Sequence, residues 1–348
     1  MSDDRPALKV FFTQEKQLCK MHQHDIPLFW TKGVFSTFEG VNNTRLNYAY
    51  FMQPPEHNSQ SIIIVSGRSE SYLKYQELCF DLYRLGYNVF IADHRGQGLS
   101  ARMLANTHKG YVESFDHYSI DLHTFIRDIV SPAQLKNNNT SKPYILAHSM
   151  GGAITARYLQ VHPDSIKAAV FSSPMFRINS GAIPYNMAKA MAYLGLYVNN
   201  LLSNTPWYFF GQKNTSSTQC VNAFKNNPLM HSELRYQIFS QVYAQNQEIQ
   251  LGGVTFKWLT EALKVEKKLF CELPALTTPI LVLQAGNDKI VDNKLQNDFC
   301  KQVNHYHQYS CPEGSPVVIE GANHELLFEL DIYRNKALTA ALSWFSQH

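Results

Sequence analysis

An α/β architecture, with a mostly parallel, doubly wound sheet and an inserted helical cap, is what this sequence predicts, and three observations predict it. Short apolar runs recur along the 348-residue chain, segments with helical spacing fill the intervals between them, and the rhythm breaks once, between about residues 175 and 273. The composition agrees, since 45% hydrophobic against 17% charged residues leaves enough apolar side chains for a large core.

The elements follow in chain order. "VFSTFEGVNNTRLNYAYF" at 34–51 alternates apolar and polar residues around "NN", the pattern of an antiparallel hairpin leading into the sheet. The runs "SIIIVS" (61–66), "NVFIA" (88–92), "PYILAH" (143–148), "KAAVFS" (167–172), "PILVLQ" (279–284) and "PVVIE" (316–320) are short and continuous, as strands buried on both faces require. Helical spacing occupies 72–86, 114–130, 150–161 and 293–303, and the segment from His324 to Phe345 predicts a closing helix. Right-handed crossovers would then place helices on both faces of the sheet. "KNNNTSK" at 136–142 predicts an exposed loop.

From 175 to 273 no run of the buried-strand type occurs, and the patterns are helical and rich in Tyr, Phe, Met and Leu. The predicted organisation is therefore a core of residues 1–174 and 274–348 with a cap, or lid, of residues 175–273. Within it Met187, Met191, Leu194, Tyr197, Val198 and Leu201 form one apolar stripe at helical spacing, followed by the aromatic cluster Trp207 to Phe210. Such a stripe more often packs on its own domain than meets lipid, and a lid lining an acyl pocket satisfies both.

Charge excludes some functions. A formal net charge of +3 is too mild for a nucleic-acid binder, which concentrates Lys and Arg in one patch. The opening "MSDDRPALKV" lacks the basic-then-apolar order of a secretory signal, and no stretch reaches the roughly 18 apolar residues of a spanning helix. These features predict a cytoplasmic protein, with peripheral contact at the inner face of the cytoplasmic membrane left open. Six scattered cysteines, Cys19, Cys79, Cys220, Cys271, Cys300 and Cys311, contain no C-x-x-C pair and predict reduced thiols rather than a zinc site or a disulfide framework.

The chemistry centres on "YILAHSMGGAI" at 144–154. A strand ending at His148, a sharp turn at Ser149 and a helix from near Gly151 would project the hydroxyl at the C-terminal edge of the sheet, with small Ala147 and Gly151 flanking the turn. The Met150 N–H, at the start of that helix, could donate to the negative oxygen of a tetrahedral intermediate, and the Arg68 N–H, in the loop after "SIIIVS", is the expected second donor. A serine needs a histidine to take its proton and an acid to hold that histidine. In this chain order the acid comes after the serine and the histidine last: "PILVLQAGNDKIV" supplies Asp288 and "PVVIEGANHELLFE" supplies His324.

Each residue alone has a plainer reading: Ser149 as a helix cap, Asp288 closing a turn with Asn287, His324 capping the last helix. Three chemically matched residues behind three strands in the required order outweigh those readings together. Asp93, His94 and Arg95 in "ADHRGQGLS" are expected to brace the site, and His94 and His148 lie outside the late-loop position of the base.

With these residues in place, "AHSMGG", "DHRGQGLS", "GNDKIVD" and "GANHE" resemble the serine hydrolases of the α/β-hydrolase superfamily, in the monoacylglycerol lipase-like branch. "GRSESYLKY" (67–75), "NPLMHSELRYQIF" (227–239) and "LGGVTFKWLTEAL" (251–263) further resemble bacterial lysophospholipases of PldB type, from about residue 20 to the end. The resemblance implies Ser149 as nucleophile, Asp288 as acid, His324 as base and the Arg68 and Met150 N–H groups as oxyanion donors. It departs from the branch at Ala147, in place of the first elbow glycine, and at Ser66, where His often precedes Gly. It implies a lysophospholipid or monoacyl lipid as substrate, with no metal or organic cofactor. Monoacylglycerol lipase, another carboxylesterase, or a catalytically silent binding protein of the same fold are the alternatives. An aminopeptidase would need an acidic cluster in the cap, which the sequence does not show. For a phosphate, Arg68, Arg95 and Lys257 are the candidates, and the sequence does not choose among them.

Overall fold

The computed structural model of the protein describes residues 12–215 and 224–348. Eight strands, β1 (Val34–Gly40), β2 (Thr44–Phe51), β3 (Ser61–Val65), β4 (Asn88–Ala92), β5 (Tyr144–His148), β6 (Ala169–Ser172), β7 (Ile280–Ala285) and β8 (Val317–Ile319), form one sheet in the order β1-β2-β4-β3-β5-β6-β7-β8. β1, β2 and β4 pair antiparallel, and every pairing from β4 through β3 to β8 is parallel. The hairpin turns where Asn42 and Asn43 take positive φ, a conformation asparagine tolerates better than most residues.

The helices are α1 (Glu15–Gln23), α2 (Asp25–Trp30), α3 (Gln76–Arg84), α4 (Asp116–Phe125), α5 (Ser131–Lys136), α6 (Met150–Val161), α7 (Tyr185–Leu202), α8 (Glu233–Gln245), α9 (Phe256–Cys271), α10 (Asn293–Tyr306) and α11 (Asp331–Gln347). Alternate strand residues feed two cores, as a pleated sheet dictates. Ile63, Val65, Ile145 and Val282 meet α4, α6, α9 and α10 on one face, whereas Ile62, Ile64, Leu146 and Leu281 meet α1, α2, α3, α8 and α11 on the other. The sheet is doubly wound as the alternation predicts.

Several expectations need correction. β8 is an edge strand with Val317 and Val318 each 39% exposed and only Ile319 buried, not a strand buried on both faces, since no further strand pairs beyond it among the described residues. The closing helix begins at Asp331, not His324. The buried Glu329 carboxylate accepts from the N–H groups of Asn323, His231 and Leu330, which folds residues 323–330 into a loop around it. Segment 72–86 opens with a 3₁₀ turn at Tyr72–Tyr75, and 114–130 passes through a wide turn at Ile126–Val130 before α5. The loop 136–142 is not wholly exposed, since Asn139 is buried and donates to Ser59 O at 2.6 Å.

Between β6 and β7 the chain carries α7, α8 and α9 and no strand among the described residues. α8 and α9 join the two cores: Tyr236 and Phe239 pack on one face, Val265 and Leu269 on the other. Arg235 of α8 reaches Glu77 of α3 and Asp331 of α11, both at 2.9 Å. α7 is different. Its stripe faces outward, with Leu194 63% and Leu201 66% exposed, so the expectation that it packs on its own domain does not hold. The opposite side meets α9, where Gly195 lets the Phe256 ring approach: a Cβ there would lie 2.1 Å from it. No helix among the described residues is long and apolar enough to cross a membrane. Cys19, Cys79, Cys271, Cys300 and Cys311 are free thiols, and Cys220 lies outside the described residues.

Candidate active site

The parallel strands end together, and their C-terminal loops assemble the site. β5 is held between β3 and β6, with Val65 opposite Ala147 and His148 opposite Ser172, so the next residue, Ser149, emerges at a fixed height above the sheet. Its backbone is strained, at φ 51° and ψ −116°, a region a non-glycine residue enters only under external constraint. The constraint is visible. Ser149 N donates to Ser172 O at 3.0 Å, and Ser149 O accepts from Met175 N at 2.8 Å and Gly152 N at 3.0 Å. α6 starts immediately and passes so close to β3 that a Cβ on Gly151 would lie 2.1 Å from Val65 O.

The hydroxyl does not cap α6. Ser149 Oγ instead lies 2.9 Å from His324 Nε2, and His324 Nδ1 lies 2.7 Å from Asp288 Oδ2. Asp288 follows β7, and its other oxygen accepts from Ile290 N at 2.8 Å and Val291 N at 3.1 Å, which fixes the carboxylate plane. Burial alone would lower the His324 pKa. The adjacent Asp288 carboxylate outweighs it and holds the imidazole above its usual value, while that same imidazole and the two backbone N–H groups pull Asp288 down against its own burial. The arrangement could therefore take a proton from the serine hydroxyl and stabilise the cation that results.

Gly67 N donates to the Glu70 carboxylate and Ser69 N to Gln97 Oε1 at 3.2 Å, which leaves the Arg68 N–H between them without a protein acceptor among the described residues. Met150, the first residue of α6, has no carbonyl one turn earlier to receive its N–H. Of the five residues singled out in the sequence, Ser149, His324 and Asp288 are joined by hydrogen bonds, Met150 opens α6 directly after Ser149, and Arg68 stands in the loop after β3. Arg68, Ser149 and His324 line a single cavity of about 590 Å³. Its walls include Phe176, Ile178, Ile183, Leu259, Leu263 and Val291, an apolar lining drawn from both the core and the 175–273 segment.

Of the glycine-rich loop's polar residues, Asp93 and His94 hold the segment from Ser66 to Tyr72, whereas Arg95 holds the β1–β2 turn through Val41 O. Asp93 accepts from Tyr72 N at 2.6 Å, Leu99 N at 2.7 Å and Ser71 Oγ at 2.9 Å, and burial pushes its carboxyl up to about 7 despite those bonds. Arg95 is buried and held by Asp121 through Nε at 2.5 Å and Nη2 at 2.7 Å, so it is not free for a phosphate. Lys257 lies 3.3 Å from Glu113 and 3.4 Å from Glu261 and is likewise paired. His94 faces Ser66 O at 3.1 Å and His148 faces Ser172 O at 3.2 Å; burial lowers the pKa of both, and neither touches Ser149.

Sequence reasoning missed the charged cluster beside the triad. Lys74 donates to Glu70 and to Glu325, both at 2.6 Å, and Tyr75 OH donates to Glu70 at 2.5 Å, all buried. Glu70, Glu325 and His148 bring ligand atoms within 4.8 Å of one another, and the Lys74 ammonium supplies the cation between the two carboxylates. The i, i+4 spacing of Glu70 and Lys74 was the available signal. Glu325, 251 residues away, gave none.

Comparison with known proteins places the chain in a family. Residues 56–331 match the family described as "Serine aminopeptidase, S33". Lysophospholipase L2 of Escherichia coli (strain K12) is 34% identical over 98% of this chain and 95% of its own length. A probable lysophospholipase L2 of Haemophilus influenzae is 32% identical over 86% and 88%. Among solved structures, a monoglyceride lipase from Saccharomyces cerevisiae, in complex with a substrate analogue, superposes with a TM-score of 0.63 at 17% identity, covering 89% of this chain and 94% of that one. The last likeness bears on the fold, which is that of the α/β-hydrolases. The chain belongs to the serine aminopeptidase S33 family, in the branch that holds the bacterial lysophospholipases L2.

Proposed function

We propose that this protein is a lysophospholipase working through an acyl-enzyme. An acyl ester enters the cavity, Ser149 Oγ attacks its carbonyl carbon, and His324 Nε2 takes the hydroxyl proton while Asp288 holds the imidazole. The Arg68 and Met150 N–H groups receive the oxyanion, each stabilising the transition state by on the order of 3 kcal/mol. The tetrahedral intermediate collapses, the C–O bond to the glycerol breaks, and His324 returns its proton to the departing alkoxide. Water, deprotonated by the same imidazole, then releases the fatty acid and restores Ser149. The observation that carries this reading is the continuous Ser149–His324–Asp288 chain at the wall of an apolar cavity.

Residues 175–273 act in this reading as a lid over the acyl chain, inserted in a core of residues 1–174 and 274–348. The outward face of α7, with Leu194, Tyr197 and Leu201, would rest on the membrane from which the substrate comes. The relatives named lysophospholipase L2 support the head-group class.

The test compares wild type with Ser149→Ala on lysophosphatidylethanolamine, monoacylglycerols, short esters and aminoacyl amides. Wild type is expected to prefer the lysophospholipid, and the alanine variant to lose on the order of 10⁶ in kcat. Hydrolysis retained by the variant overturns the mechanism. Activity confined to monoacylglycerols or to amides overturns the substrate.

A further inference from the structure

Four basic side chains at the cavity or its supporting loops meet acids: Lys74 with Glu70 and Glu325, Arg95 with Asp121, Lys257 with Glu113 and Glu261, and Arg177 with Glu266 at 2.7 Å. Arg68 does not. Its Nη2 donates to Gly252 O at 2.6 Å, its guanidinium lies 5.3 Å from the centre of the Trp258 ring, and its Nε is sealed from solvent with no hydrogen-bond partner. No acid pairs with it among the described residues, and the groups that bear on its charge are the Tyr118 and Tyr208 hydroxyls. Burial pulls this guanidinium down to about 10, against the effect of those two tyrosines. The Tyr208 ring also carries Lys109 at 5.3 Å, whose ammonium donates to Pro206 O rather than to a carboxylate. Lys189 of α7 lines the same cavity and has no acidic partner among the described residues either.

Arg68 is half-buried, and a cation drawn partly out of water without an acid is incompletely compensated, which an anionic ligand would remedy. Arg68 lines the cavity that Ser149 and His324 also line, and Gly110 packs against the end of its side chain, where a Cβ would lie 2.7 Å from Nη2.

We propose that the Arg68 side chain is the subsite for the phosphodiester of the substrate's head group, so that one residue serves the reaction through its N–H and selects the substrate through its guanidinium. This rests on the lysophospholipid reading above. In that reading the acyl carbonyl is fixed at Ser149 with its oxygen toward the Arg68 N–H. The anion that reaches the Arg68 guanidinium then sits on the alcohol side of the ester, which in a lysophospholipid is the phosphodiester. Arg suits it, because a guanidinium carries five N–H donors and keeps donors for phosphate oxygens beyond the one given to Gly252 O. An uncharged monoacylglycerol leaves the guanidinium unsatisfied, which is the discrimination.

The experiment measures kcat/KM for lysophosphatidylethanolamine and for monoacylglycerol of the same acyl chain, in wild type, Arg68→Met and Arg68→Lys. Any residue but proline keeps the backbone N–H, and the ratio of the two substrates is its own control for partial misfolding. The ratio is expected to fall tenfold or more in R68M, chiefly through KM, and to recover in part in R68K. A ratio within twofold of wild type, whether both activities fall or neither does, overturns the subsite. If wild type does not hydrolyse the lysophospholipid at all, the proposed function itself has failed.

Should R68M not fold, wild type decides through protection of Ser149 from a fluorophosphonate. A non-hydrolysable ether lysophospholipid is expected to protect at a tenfold lower concentration than the matching monoalkyl glycerol. Equal protection by the two, or protection by inorganic phosphate as good as that by the ether lipid, overturns a head-group site.

Discussion

Replacing Asp288 by Asn tests the triad where the geometry leaves least freedom. Asp288 Oδ1 accepts from Ile290 N at 2.8 Å and Val291 N at 3.1 Å, while Oδ2 faces His324 Nδ1 at 2.7 Å. An asparagine must keep its carbonyl oxygen toward the two backbone donors, because the flipped amide would leave both N–H groups facing an NH₂, at about 1–3 kcal/mol each. Its NH₂ therefore points at His324 Nδ1, which becomes an acceptor, and the ring proton moves to Nε2. Nε2 lies 2.9 Å from Ser149 Oγ and would then donate to the hydroxyl instead of accepting its proton. A wrong tautomer in such a triad lowers kcat by about 10⁴, or about 5 kcal/mol of barrier.

The assay is steady-state hydrolysis of a lysophospholipid and of a short soluble ester, with melting curves to show that D288N folds. kcat should fall about 10⁴-fold on both substrates with little change in KM. D288N activity above a tenth of wild type would refute the reasoning. The pH profile gives a second reading. Because His324 must be neutral to accept a proton and its pKa is raised, the rising limb of wild-type kcat/KM should lie above the 6.5 of a free imidazole. In Asp288→Ala, burial loses its chief opponent and the limb should move to lower pH.

Two further outcomes follow from packing. Gly151→Ala places a methyl 2.1 Å from Val65 O and 2.7 Å from Ser66 O, both backbone, so α6 must move off β3; we expect a loss of about 3 kcal/mol in a denaturant titration together with reduced turnover, and an unchanged midpoint would show that the contact can relax. Leu194→Glu combined with Leu201→Glu should lower co-sedimentation with anionic lipid vesicles at least tenfold while leaving short-ester hydrolysis within twofold of wild type, and undiminished vesicle binding would remove α7 from the membrane contact.

What could be read from the sequence was whatever depends on local pattern and chain order. Continuous apolar runs gave β3 to β7, since a strand buried on both faces needs them, and small residues around Ser149 gave the strand-to-helix turn. Asp288 and His324 were legible because each stands just past a late strand, and parallel strands deliver their loops to one edge. β8 was misjudged for a related reason: its residues are apolar like those of β7, and only the sheet order shows that it lies at the edge. The start of α11 was misplaced because Glu329, not the helical spacing around it, decides where the loop ends. The stripe on α7 was visible as a stripe, but which way it faces depends on what Gly195 lets α9 do on the other side.

The charged cluster beside the triad shows why burial of ions here serves geometry better than stability. Replacing a buried ion pair by apolar residues is often neutral or stabilising, so Lys74, Glu70 and Glu325 are poorly accounted for as stabilisers. What they do is join loops. Glu70 holds Gly67 N, next to the Arg68 N–H, and Lys74 bridges Glu70 to Glu325, the residue after His324. The spacing between the Arg68 loop and the imidazole is thereby set through one ammonium with both its carboxylates at 2.6 Å, rather than through packing that could relax. An acid-side consequence has a definite sign. The Glu70 carboxyl, which burial alone would raise, is held at about 2 by Lys74 and His148, so its contribution is complete above the ordinary carboxylate range and is lost as pH falls from there toward 2. The loops of the active site are therefore joined by charge throughout the range in which His324 can act as a base.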